Sequence, residues 1–257
     1  MSGVLPVTTK LRTTLSVPEP DDMTLELRLQ SDEVVRVAAS RAKPAMLDEA
    51  LPWRTFRMYY GQPHYSGTYW CATENSSVIH ESRLELSRLI LADFDTKVSH
   101  IVAQPFLLRA KVDGARRRHI PDYFLKTCDG PVVVAVKPRD QLDKPKNIDT
   151  FAWVRRAIES MGWRFEIASE PEPVLMENVR FLAGYRRSRY INTDALKELR
   201  SVNLNNVSFG DVLRQVTHTP APLARSALLH MLWSHEVSTD LNAVLTDRSI
   251  LITRSAS

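Results

Sequence analysis

Apolar and polar positions alternate along "MTLELRLQ", with Met23, Leu25, Leu27 and Leu29 on one side, which predicts a half-buried strand. The aromatic stretch "RTFRMYYGQPHYSGTYWCA" is broken by Gly61, Pro63 and Gly67 and reads as short strands joined by turns. A helical spacing follows in "HESRLELSRLILADFD" (80–95). "KVSHIVAQPFLLRAKV" (97–112) predicts one strand that passes an internal proline, and "DGARRR" a turn. "RHIPDYFLKT" is a second strand, "CDG" a turn and "VVVAVKP" a third strand. "NIDTFAWVRRAIESMG" (147–162) predicts a helix with Asp149 as N-cap and Gly162 at its end, and "WRFEIAS" a fourth strand. The last strand–helix–strand unit predicts strands three and four parallel, joined by a right-handed crossover.

The pattern divides the chain into three parts. Residues 1–22, rich in Pro, Thr and Ser, read as a flexible arm. Residues 23–170 carry the alternating helices and strands. From 171 onward "TDALKELRS", "SFGDVLRQV" and "PLARSALLHMLWSHEV" read as three helices, and "VSTDLNAVLTDRSILIT" as a closing hairpin. Three helices ending in a hairpin form a winged-helix pattern, which serves DNA in some proteins and protein partners in others. The expected fold is α/β: a mixed sheet flanked by helices, followed by a mostly helical, winged-helix-like C-terminal domain.

Composition narrows the function classes only a little. The 257 residues are 44% hydrophobic and 25% charged, as in ordinary globular chains. No apolar run approaches the roughly 18 residues that span a bilayer, and the N-terminus has no signal-like apolar core, so the expected location is cytoplasmic, with no membrane partner. A net charge of +4 permits a polyanionic partner without demanding one. Cys71 and Cys128 are too few for a disulfide framework or zinc ribbon and read as ordinary buried thiols.

Candidate chemistry lies in the middle of the chain. Glu85 shares a helical stripe with Leu89 and Ala92, and a carboxylate on an inward stripe is costly unless it is paired or holds a cation. Asp122 follows Pro121 inside a strand, and Lys137 ends the next one. If those strands pair around "CDG", Asp122 and Lys137 reach one face. Two carboxylates would hold a hard divalent cation, most plausibly Mg²⁺, which polarises a phosphodiester and lowers the pKa of bound water. A nearby lysine would position that water or stabilise developing negative charge. Each residue alone reads as ordinary structure. The ordered set carries the signal.

The segments "GQPHYSGTYWCAT", "ESRLELSRLILADFD", "VSHIVAQPFLL", "RRRHIPDYFL", "VVVAVKP", "GWRFEI" and "VLMENVRFLAGYRR" resemble the TnsA-like endonuclease subunit of heteromeric transposases. That family is a branch of the PD-(D/E)xK restriction-endonuclease-like superfamily. The resemblance runs from about Arg54 to about Arg189. It implies a nuclease core at 23–170, with Glu85, Asp122 and Lys137 as catalytic residues and Glu85 and Asp122 as metal ligands. Gln104 and Pro105 match a family "QP" of mainly structural character. The family's acidic or amide residue two before the lysine falls on Ala135, which removes one ligand side chain and leaves a thinner metal shell.

The resemblance also implies a Mg²⁺-dependent endonuclease, with Mn²⁺ as a substitute, that cuts the 5′ ends of a mobile element. Its expected partners are double-stranded DNA at transposon ends, a DDE-type transposase that handles the 3′ ends, and an AAA+ ATPase regulator. Arg116, Arg117 and Arg118 in "DGARRRH", and Arg186, Arg187 and Arg189 in "GYRRSRY", are the candidates for phosphate contacts. His64 and His119 receive no role. Two alternatives stay open: a catalytically weakened or inactive module that binds DNA ends and transposase partners, and a stand-alone restriction or defence nuclease.

Overall fold

The computed structural model describes residues 23–30, 33–54 and 65–253. The expected N-terminal arm, His64 and the first part of the aromatic stretch lie outside the described residues.

In chain order, β1 (Thr24–Arg28), β2 (Val34–Ala38), β3 (Gly67–Cys71) and β4 (Ser76–His80) precede α1 (Arg83–Phe94). Five strands follow: β5 (Val98–Ala103), β6 (Leu107–Val112), β7 (Ala115–His119), β8 (Tyr123–Thr127) and β9 (Gly130–Val136). Then come α2 (Pro145–Ser160), β10 (Arg164–Ala168), α3 (Pro173–Leu182), α4 (Thr193–Ser201), β11 (Val207–Ser208), α5 (Phe209–Gln215), α6 (Ala221–Trp233), β12 (Val237–Ser238) and β13 (Ile250–Thr253). No helix among the described residues is long and apolar enough to cross a membrane.

Contacts group the described residues into two compact units. One draws on Met1–Phe56 and Val102–Ile167, the other on Arg57–Ile101 and Ala168–Ser257.

The first unit holds two sheets. One has the order β2-β1-β6-β7, with every neighbouring pair antiparallel. The other has the order β10-β9-β8-β5, of which Val102 and Ala103 of β5 fall in this unit. Leu25, Leu27, Leu108, Ala110 and Val112 alternate onto one face of the first sheet and enter a core with Phe106, Phe124, Val133 and the α2 residues Trp153, Val154, Ala157 and Ile158. Each large side chain buried there stabilises the fold by roughly 1.5–3 kcal/mol.

Several local expectations change. The single strand expected over 97–112 is two strands, because the chain turns at Gln104 (φ 47°) before Pro105. "DGARRR" is a turn only at Asp113 (φ 50°) and Gly114 (φ 77°). Left-handed backbone at both central positions suits the twist of a two-residue hairpin, and Gly meets it without a Cβ penalty. The arginines after it form β7, registered Ala110↔Arg117 and Lys111↔Arg116 against β6. The helix expected from Asp149 starts earlier: Lys144 is the N-cap and Pro145 takes the first turn, where its missing N–H costs nothing. At its other end Gly162 (φ 75°) donates to the Glu159 carbonyl at 3.0 Å, and Trp163 donates to Ile158 at 3.3 Å, a Schellman closure. Between them, β9 and β10 are sheet neighbours.

In the second unit α1 packs on α3, and β3 pairs with β4. Asp93 is a buried hub. It accepts from the Tyr69 hydroxyl (2.7 Å), the Thr73 N–H (2.8 Å) and the Thr73 hydroxyl (2.8 Å), which meets the requirement that a buried carboxylate be hydrogen-bonded. Burial and the Asp93 charge push both Tyr69 and Cys71 up from their ordinary pKa values. Cys71 is buried as expected; Cys128, in the β8–β9 turn, is exposed instead, because a turn offers it no core to enter. The three helices expected after residue 171 are α4, α5 and α6, and the closing hairpin is β12 and β13, joined by the unforeseen β11 in the order β11-β13-β12.

Candidate active site

β8 and β9 pair antiparallel with Tyr123↔Val134 and Phe124↔Val133. Asp122 lies in a bend one residue before β8, and its N–H donates to the Val134 carbonyl at 2.9 Å. Ala135 and Lys137 are two residues apart at the end of β9, the spacing of one strand face, and Asp122 lines the same cleft as both. The carboxylate of Asp122 also accepts the Val136 N–H at 2.6 Å, which ties it to the end of β9.

Gln104 fixes the segments around it. Its N–H donates to the Asp122 carbonyl (2.9 Å), its own carbonyl accepts from Trp53 (3.0 Å), and its side-chain oxygen accepts from the Arg54 N–H (2.9 Å). One buried residue in a left-handed conformation therefore links Trp53 and Arg54 to the aspartate strand. This matches the structural character expected of Gln104.

Trp53, Arg54, Asp122, Ala135 and Lys137 line a cleft of about 510 Å³, together with Leu107, Arg118, His119, Ile120, Val136 and Phe151. Asp122 is the carboxylate of the lining, and Arg54, Arg118 and Lys137 are its cations. The cleft thus sets three cations around one carboxylate. Burial, then the positive charges of Lys137 and Arg54, lower the pKa of His119 to about 4. It is neutral at physiological pH, its ring stands edge-on to Trp153 at 6.3 Å, and its buried Nε2 has no hydrogen-bond partner among the described residues. His119 and Arg54 were given no role from sequence. The register of "RRRHIPD" around Asp122 could have flagged His119, whereas nothing local ties Arg54 to residue 104.

Glu85 lies in the second unit, on α1. It takes part in a capping arrangement: its N–H donates to Ser82 Oγ (3.1 Å), while its carboxylate accepts the Glu81 N–H (2.6 Å) and the Ser82 hydroxyl (3.0 Å). It is half-buried beside the buried stripe of Leu89 and Ala92, as the spacing predicts.

No group of three or more His, Cys, Asp or Glu side chains suited to a metal occurs among the described residues. The oxygen donors of the cleft nonetheless fit Mg²⁺ in kind. That ion keeps several waters and is commonly held by one or two carboxylates plus substrate phosphate. Asp122 supplies a carboxylate, and the main-chain carbonyl at Ala135 supplies a further hard donor type.

Of the arginine candidates, Arg116 and Arg118 project from one face of β7, and Arg117 belongs to the alternate position. Arg186 serves the second unit: its Nε donates to the Trp70 carbonyl at 2.7 Å, its guanidinium also bonds the Ala183 carbonyl, and it lies 4.4 Å from the Tyr69 ring centre. Arg187 stacks on Trp70 at 4.5 Å, and Arg189 bonds the Tyr190 hydroxyl at 2.8 Å.

The cleft thus gathers one aspartate, a strand-end lysine and two arginines. Residues 95–170 match the family described as TnsA-like endonuclease N terminal. The matched segment contains Asp122, Ala135 and Lys137, so all of the cleft's lining except Trp53 and Arg54 lies in the part of the chain similar to TnsA-like endonucleases. No curated protein matches the chain.

Proposed function

We propose that the chain is the DNA-cutting subunit of a heteromeric transposase, hydrolysing phosphodiester bonds at the 5′ ends of a mobile element in a Mg²⁺-dependent reaction. The observation that carries this is the convergence of Asp122 and Lys137 on one cleft inside the segment similar to TnsA-like endonucleases. Asp122 would hold the cation, with Glu85 assigned as second carboxylate on the sequence resemblance alone; bound there, the cation supplies Lewis-acid polarisation of the phosphate and a more acidic water. Arg54 and Arg118 offset the charge of the incoming phosphodiester, and Lys137 stabilises the charge that develops on its oxygens. Neutral His119 holds the inner wall through its contact with Trp153.

The partners in this reading are duplex DNA at the element ends, a DDE-type transposase and an AAA+ ATPase regulator, acting in the cytoplasm. The order α4-β11-α5-α6-β12-β13 supports a winged-helix-like C-terminal module. Leu228, Leu229, Met231 and Leu232 of α6 are all buried, which favours contacts with partners over insertion of that helix into a DNA groove.

Mapping of breaks at both strands of an element end, in the complex with transposase and Mg²⁺, tests the proposal. Wild type gives 5′ and 3′ breaks. Asp122→Ala, Lys137→Ala and Glu85→Ala are expected to lose the 5′ break and keep the 3′ break of the partner. Persistence of 5′ breaks in Asp122→Ala and Lys137→Ala would sink the reading. Ala135 favours a second reading, a weakened module that binds DNA ends without cutting, for which wild type itself gives no 5′ break.

A further inference from the structure

The sheet β2-β1-β6-β7 buries one face and turns the other to solvent. On the outward face β6 places Leu107, Arg109 and Lys111, and β7 places Arg116 and Arg118 beside them, with the registers Arg109↔Arg118 and Lys111↔Arg116. Two pairs of like charges therefore stand directly opposite each other, an arrangement that destabilises a sheet. Folding gives no reason for it. Arg36 of β2 joins the same face, opposite Glu26.

Glu26 is the one carboxylate among these paired positions. It is 4% exposed and accepts from Arg36 Nε (3.0 Å) and Arg109 Nε (2.8 Å). A single buried acid thus orients two guanidinium groups and leaves the face strongly positive. The surface here is concave, a depression of about 660 Å³ lined by Arg36, Arg109, Lys111 and Arg116, with no carboxylate in its wall. The same face runs into the cleft, because Leu107 and Arg118 also line the wall that contains Asp122. From Leu107 to Lys111 the strand rises about 14 Å, the axial length over which one strand of a duplex presents about four phosphates.

We propose that this sheet face is a track for the sugar–phosphate backbone of the duplex that leads into the cleft, with Arg36, Arg109, Lys111 and Arg116 as its phosphate contacts. The partner is duplex DNA rather than a peptide or lipid. The cations repeat at strand spacing, the face is concave, and it ends at a site read here as cutting phosphodiesters. The inference rests on that reading. The track reads charge and not base sequence, since its side chains are of the kind that bind phosphates.

Binding of the full chain to a fluorescently labelled duplex of arbitrary sequence, without divalent metal and between roughly 50 and 200 mM salt, tests the track. The logarithm of affinity against the logarithm of salt should flatten by about 2.7 in Arg109→Gln/Lys111→Gln/Arg116→Gln, and by about 1.8 in Lys111→Gln/Arg116→Gln, which keeps both partners of Glu26. Affinity at the low-salt end should fall by at least about tenfold. Lys43→Gln/Lys146→Gln/Arg164→Gln makes the same charge change elsewhere on the unit and should shift the slope by less than half of that. Wild-type binding with an unchanged slope in both track variants overturns the track and leaves the nuclease reading standing. An equal slope change in the control overturns it too, since the effect is then net charge. Failure of wild type to bind duplex DNA at all overturns both.

Discussion

Burial beside two cations keeps His119 neutral, and that has a cost that depends on pH. Its unfolded pKa is the ordinary 6.5 and its folded value about 4, so the unfolded chain binds the proton more tightly between those limits. The folded state keeps its full margin above pH 6.5 and loses it as pH falls towards 4, by roughly 3 kcal/mol in all. Denaturant unfolding of wild type and His119→Asn across pH 4–7 should show this difference, with the variant the flatter of the two; parallel curves would mean that the folded state leaves the His119 pKa at its ordinary value. Glu26 acts in the same direction at lower pH. Burial alone would raise its pKa, but Arg109 and Arg36 hold it below the usual carboxylate range, so its contribution is lost only as pH falls through that lowered value. At this scale the meeting of Asp122 and Lys137 at one cleft was legible, because a Pro-Asp strand and a strand-end lysine separated by one hairpin are local signals. Arg54 was not, because it reaches the cleft through Gln104, about fifty residues away in sequence, as the hydrogen bond between them records.

The β8–β9 hairpin is the element on which the proposed chemistry hangs. Gly130, at φ 103°, lets the turn close so that β8 and β9 pair from Thr127↔Gly130 to Tyr123↔Val134, and Asp122 and Ala135 line one cleft just beyond. Ala135 is 1% exposed, so a glutamate there enters a packed wall next to another carboxylate. Ala135→Glu should destabilise the metal-free protein by about 1–3 kcal/mol. Added Mg²⁺ should then raise the thermal midpoint of the variant more than that of wild type, because a cation that binds only the folded state stabilises it. An equal Mg²⁺ response in thermal melts of both proteins would mean that this face holds no metal. β7 was missed from sequence for a related reason. "ARRRH" carries no apolar alternation, and its strand character comes from pairing with β6 at a sheet edge. The break between β5 and β6 was hidden because Gln104 takes a left-handed turn that residues other than Gly seldom adopt.

On the scale of the whole chain, the contact units do not follow the sequence order. Residues from before position 56 join Val102–Ile167, and Arg57–Ile101 groups with the C-terminal part. Sequence periodicity reads neighbours along the chain and cannot show such an exchange, which is why 23–170 looked like one domain. The contact units change at Ile167/Ala168, just before the Pro- and Glu-rich "SEPEPV". The segment similar to TnsA-like endonucleases, 95–170, lies mostly in the first unit and includes its cleft. The central claim is therefore local to that unit: the cleft around Asp122 and Lys137 cuts DNA. Single-turnover cleavage of duplex element-end DNA in the transposase complex, at saturating Mg²⁺, by wild type and by an Asp122→Asn variant of matched thermal stability tests it most directly. A loss of about 10²-fold or more in the rate of the 5′ break agrees with the account. A 5′ break rate within a few-fold of wild type contradicts it.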